Sequence, residues 1–123
     1  MITNILLGSN DLKKAERFYD ALLTEFGARQ VMKNDRSILW KTPDSPVGIA
    51  LCVPFDGQPA SSGNGTMIGL KGKSPRNVTD IYNKALAMGA SCEGPPGERR
   101  PGVYAAYFRD PDGNKFGIFH TAT

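Results

Sequence analysis

One order of secondary-structure signals occurs twice in this chain, and that repeat restricts the fold more than any single motif. Residues 1–7 read as a short apolar strand. A helix signal follows, with Ser9 or Asn10 as its expected N-cap and Leu12, Ala15, Phe18, Tyr19, Leu22 and Phe26 along one face, closed by Gly27. Three strand-like pieces come next, at 28–33, 37–42 and 47–53, with Asn34-Asp35 and Pro43-Asp44-Ser45-Pro46 as turns.

The order then restarts. Residues 66–70 read as a strand, and Ser74-Pro75 starts a helix with proline in its first turn. That helix carries Val78, Ile81, Tyr82, Ala85 and Met88 on one face and stops at Gly89. Strands are expected at 90–92, 103–108 and 115–119, the last two joined by Asp110-Pro111-Asp112-Gly113-Asn114. The two helices end alike, in Phe26-Gly27-Ala28 and Met88-Gly89-Ala90, and Tyr19 and Tyr82 hold roughly matching places. The pattern predicts an α+β fold made of two βαβββ modules within a single domain over 1–123: module one at 1–53, an exposed linker at 54–64 and module two at 65–120. The competing arrangement is one ferredoxin-like sheet with extra strands.

At 123 residues, 40% hydrophobic and 22% charged, the chain has the profile of one globular unit. Its opening residues match neither a secretion signal nor a spanning helix, so no membrane partner and a cytoplasmic location are expected. Cys52 and Cys92 lack the spacing of a zinc site or a disulfide framework and are expected to be small buried apolar residues. The net charge of +3 raises nucleic acid as a partner. Its distribution argues against that, because Lys13-Lys14, Lys71 with Lys73, and Arg99-Arg100 are short separate clusters without interleaved aromatics or a recognition helix.

Two stretches, LLGSNDLKKAERFYDALL at 6–23 and YAAYFRDPDGNKFGIF at 104–119, carry a resemblance to the vicinal oxygen chelate superfamily of glyoxalases, bleomycin-resistance proteins and ring-cleaving dioxygenases. GTMIGL at 65–70 and CEGPPGERRPG at 92–102 extend it over essentially the whole chain. The resemblance implies modules whose sheets curl into an open barrel-like cleft. It also implies four ligand positions for a metal ion, which fall here on Asn4, Ala50, Met67 and Gly117. Alanine and glycine have no side-chain donor, methionine offers a soft thioether and asparagine one neutral oxygen, so no metal and no other cofactor are expected. His120 does not restore the set, since strand alternation turns it away from the face of Gly117.

A cleft without a metal can still bind. Alternation directs Asn4, Leu6, Ala50, Cys52, Met67, Gly69, Gly117 and Phe119 into it, and Tyr107 stands where the dioxygenase branch has a site tyrosine. The loop 93–102 carries Arg99 and Arg100, whose guanidinium groups suit a carboxylate or phosphate. Trp40, the single tryptophan, is a candidate for the mouth or rim of the cleft, with packing in the core the expected role. The expected ligand-binding set is therefore Asn4, Cys52, Met67, Arg99, Arg100 and Tyr107, and the expected partners are a small, possibly anionic organic molecule and a second copy of the chain in a homodimer. The alternative is an enzyme of lactoylglutathione-lyase or ring-cleaving dioxygenase type, with a rearranged metal set or with Tyr107, Cys52 and Arg99 in acid-base work.

Overall fold

The computed structural model describes residues 1–122. Within them the order is β1 (Asn4–Gly8), α1 (Leu12–Thr24), β2 (Arg29–Lys33), β3 (Ser37–Lys41), β4 (Gly48–Cys52), β5 (Ile68–Lys71), α2 (Pro75–Ala87), β6 (Ser91–Arg100), β7 (Val103–Arg109) and β8 (Lys115–Thr121). The strands form two four-stranded mixed sheets, β1-β4-β3-β2 and β5-β8-β7-β6. Corresponding strands pair in corresponding senses: β1 with β4 and β5 with β8 are parallel, and the remaining pairs are antiparallel. Two βαβββ modules are thus present, and neither sheet closes on itself or pairs with the other.

Apolar alternation decides which sheet face meets the helices. Ile38, Trp40 and Leu51 of the first sheet and Ala106, Phe108, Phe116 and Ile118 of the second join Ala15, Phe18, Leu22, Val78, Ile81 and Ala85 of the helices in one buried cluster. Each large side chain removed from water there contributes about 1.5–3 kcal/mol. The ring of Tyr19 lies 5.6 Å from that of Trp40 and 5.9 Å from that of Phe116, so a single residue of α1 touches both sheets. Trp40 packs in the core as expected, its Nε1 donating to Asp20 at 2.9 Å.

Both helices stop by the same device. Gly27 and Gly89 take positive φ (79° and 111°), and the residue after each bonds back to a carbonyl five positions earlier, Ala28 to Leu23 and Ala90 to Ala85. At the other end of α2, Ser74 caps and Pro75 opens the helix as expected. The α1 cap differs from expectation. It is Asp11, whose side chain accepts from the Lys14 amide, while the Ser9 hydroxyl accepts from the Asp11 amide and the Asn10 side chain pairs with both backbone groups of Ala60 in the linker.

Two further expectations need correction. Residues 93–100 are not an irregular loop, because β6 runs through them to Arg100. Pro95 and Pro96 are tolerated since β6 is an edge strand whose pairing with β7 is interrupted by register shifts on both sides of them. The cysteines are not buried core residues either: Cys52 is half-buried and Cys92 exposed. No helix among the described residues is long and apolar enough to cross a membrane.

Candidate functional site

On the second sheet, the face turned away from the helices carries an aromatic platform seated on glycine. Tyr107 pairs with Gly117, Gly117 with Gly69, and Phe119 follows two residues later on the same face. A Cβ on Gly117 would fall 2.6 Å from Phe119 Cε2 and 3.1 Å from Tyr107 Cδ1, and one on Gly69 would fall 3.3 Å from Phe119 Cε2. The Phe119 ring therefore occupies the space that a side chain at position 117 would need. Phe119 and Tyr107 meet edge to face with centroids 5.6 Å apart.

Two cations cover this platform. The Arg99 guanidinium carbon stands 5.3 Å from the Tyr107 centroid, and Lys115 Nζ stands 5.6 Å from it. Contacts of this kind contribute about 0.5–1 kcal/mol when exposed and about 2 when desolvated. Arg99 is held by a bond from Nη2 to the Pro95 carbonyl at 2.5 Å. Glu93 accepts from Arg109 at 3.1 Å and lies 4.0 Å from Lys115, so Lys115 is only loosely neutralised. An aromatic floor under two partly free cations can take a flat or apolar body with an acidic group.

On the first sheet, the corresponding face carries Asn4, Leu6, Ala50 and Cys52, in register as Asn4 with Gly48, Leu6 with Ala50 and Gly8 with Cys52. Leu6 is 59% exposed, and Cys52 lines a shallow hollow with Leu6, Pro54 and Ala60. Of the six expected binding residues, Arg99 and Tyr107 are in contact. Met67 lies exposed just before β5 and Arg100 is exposed at the end of β6. Asn4 and Cys52 sit on the other sheet, with no contact between the strands that carry them and β7 or β8. Within one chain, Cys52 is therefore not positioned to share acid-base work with Tyr107 and Arg99. Lys115 and Glu93 did not stand out in the sequence, because only pairing across β6, β7 and β8 brings them to Tyr107. His120 lies on the opposite face from Phe119, with Nδ1 3.3 Å from the Gly72 carbonyl oxygen.

The Asp110-to-Asn114 turn has a structural task. Asp110 is buried, accepts from the amides of Asp112 and Asn114 and from the Asn114 side chain, and receives the Tyr19 hydroxyl at 2.5 Å. Asn114 also donates to the Gly8 carbonyl of the first sheet. Burial, followed by the Asp110 charge and its hydrogen bond, raises the Tyr19 pKa well above its ordinary value. The turn thus joins module two to β1 and α1 of module one.

Comparison with known proteins agrees with this architecture. The family model described as Glyoxalase/Bleomycin resistance protein/Dioxygenase superfamily matches residues 2–118. A glyoxalase/bleomycin resistance protein from Albidiferax ferrireducens T118 is 36% identical, with a TM-score of 0.89 and 99% of each chain covered. A glyoxalase-related enzyme from Fulvimarina pelagi is 21% identical, with a TM-score of 0.80 over 97% of this chain and 86% of that one. The lactoylglutathione lyase from Agrobacterium tumefaciens is 21% identical, with a TM-score of 0.69 over 97% and 92%; at such identities the likeness concerns the fold. No curated protein matches the chain. With the family model spanning nearly its whole length and both βαβββ modules in place, the chain belongs to the glyoxalase/bleomycin resistance protein/dioxygenase superfamily.

Proposed function

We propose that the protein binds a small anionic organic molecule without a metal ion, in a cleft built from the outer sheet faces of two copies of the chain. The observation that carries this reading is the Phe119 ring lying over Gly117 edge to face with Tyr107, whose own ring is covered by Arg99 and Lys115. The residues at the four inherited ligand positions do not fit a divalent ion. Ala50 and Gly117 have no donor, Met67 has a thioether and Asn4 one amide oxygen. An aromatic floor with cations above it offers dispersion and charge-assisted hydrogen bonds instead.

A second copy enters because Asn4 and Cys52 sit on one sheet and Arg99 and Tyr107 on the other, while Leu6 and Met67 leave apolar surface in water. A homodimer that faces the first sheet of one protomer toward the second sheet of its partner unites the two sets. It also covers that surface. The enzyme reading requires the same union, since Cys52 and Tyr107 are separated within the chain.

The test is a thermal-shift screen of small carboxylates, phosphates and glutathione conjugates, followed by titration of the best hit. Arg99→Ala is expected to weaken binding by about ten-fold or more, the loss of one charge-assisted contact. Arg100→Ala is expected to do less, its side chain having no partner among the described residues. Equal affinity in wild type and Arg99→Ala, or one equivalent of metal in the purified protein by elemental analysis, would count against the reading.

A further inference from the structure

A second recess lies at the seam between the modules; Tyr107, Arg99, Lys115 and Phe119 do not line it, while Lys71 and Lys73 at its rim also border a shallow hollow beside Gly69 and Phe119. It encloses about 570 Å³, within the range of small-molecule sites. Its walls are apolar: Phe26 and Ile49 come from module one, Val47 from the turn before β4, and Leu70 from module two. These four are only half-buried, although each of the first, second and last packs against the central core. Trp40 lies at the floor. The seam is open because no strand of the first sheet pairs with one of the second and β4 makes no contact with β5.

The rim has the opposite character. Lys41, Lys71 and Lys73 stand around the recess against the single carboxylate of Asp44, and among the described residues none of the three lysines is within ion-pair distance of an acid. A second copy docked isologously here would bring two such rims together, and like charges repel. A long helix or strand would exceed the recess. We propose that this seam is a binding site for a small amphipathic anion, a molecule with an apolar body that lies along Phe26, Ile49 and Leu70 and one acidic group held among the lysines.

The position of Trp40, the chain's only tryptophan, supplies the readout. 8-Anilino-1-naphthalenesulfonate, an apolar aromatic body with one anionic group, is titrated into the protein while energy transfer from Trp40 is followed. Decanoate and decyltrimethylammonium serve as competitors. Saturable transfer is expected, displaced by decanoate and not by the cationic amphiphile. The exposed pair Lys71→Glu and Lys73→Glu, combined, is expected to weaken binding by about ten-fold or more with the thermal unfolding curve retained. Tyr107→Ala and Phe119→Ala, which alter the platform and the hollow beside it but not the walls of the seam, are each expected to leave it unchanged. Absence of saturable transfer, equal displacement by both amphiphiles, or equal affinity in the charge-reversed variant would overturn the proposal. Loss of binding in Tyr107→Ala or in Phe119→Ala would move the dye to the platform or the hollow beside it and overturn the proposal as well.

Discussion

Tyr19 shows how much a single side chain can carry in this fold. Its ring sits between Trp40 and Phe116 and its hydroxyl donates to the buried Asp110, so it belongs to both modules at once. Tyr19→Phe keeps the ring and removes the donor to a buried carboxylate. A hydrogen bond to a charged group contributes about 1.5–3 kcal/mol, and a loss of that size is expected in urea unfolding. The same residue sets a pH dependence. Its folded pKa lies well above its value in the unfolded chain, so its contribution is fully present below about pH 10 and is lost as pH rises from there toward the folded pKa. Wild type is therefore expected to lose stability faster than Tyr19→Phe above pH 10, and parallel stability curves would contradict the assignment. The sequence marked Tyr19 as a helix-face residue and the Asp110 turn as a family signature. Their contact lay beyond it, because 91 residues separate the two.

At the scale of elements, β5, β7 and β8 act together as the support of the aromatic platform. If Phe119 is seated on Gly117, adding a methyl there forces the ring to move, and overpacking of this kind costs about 1–3 kcal/mol. Gly117→Ala is expected to lower stability by that amount in wild type and by much less in a Phe119→Ala background. A double-mutant cycle by chemical denaturation measures the difference, and an equal cost in both backgrounds would show that the ring is not the obstacle. Strand alternation alone placed Gly69, Gly117 and Phe119 on one face. It did not reveal that a ring fills the space above the glycines, since that depends on a rotamer and on cross-strand register. The extension of β6 beyond the strand expected at 90–92 was missed for a related reason: Pro95 and Pro96 have loop character in isolation, and only an edge position with interrupted pairing accommodates them in a sheet.

The whole molecule turns its core inward and leaves two sheet faces to solvent. Light scattering at micromolar concentration is expected to give twice the chain mass. Leu6→Lys, which places a charge on exposed apolar surface of the first sheet, is expected to shift the protein toward monomer while the helix and core signals in circular dichroism persist. A monomeric wild type, or a Leu6→Lys dimer of unchanged strength, would remove the two-copy cleft and leave the platform as a one-sided site. Thirty-six per cent identity to the Albidiferax protein over nearly the full length makes that relative a suitable second subject for the same measurement.

Local chemistry determined the βαβββ repeat by itself. Apolar spacing, the Ser74-Pro75 start, the Gly27 and Gly89 stops and the 110–114 turn act over a few residues, and each produced its element where expected. The side-chain types at positions 4, 50, 67 and 117 are also plain in the sequence, but it is the family resemblance, not local chemistry, that singles those positions out. Tertiary structure alone decided that the strands carrying Asn4 and Cys52 make no contact with β7 or β8, that Arg99 rests on a strand over Tyr107, and that an apolar seam remains open between the modules. Those outcomes depend on which sheet face the two helices share and on registers between strands distant in the chain, and a periodic pattern specifies a face without specifying what comes to meet it.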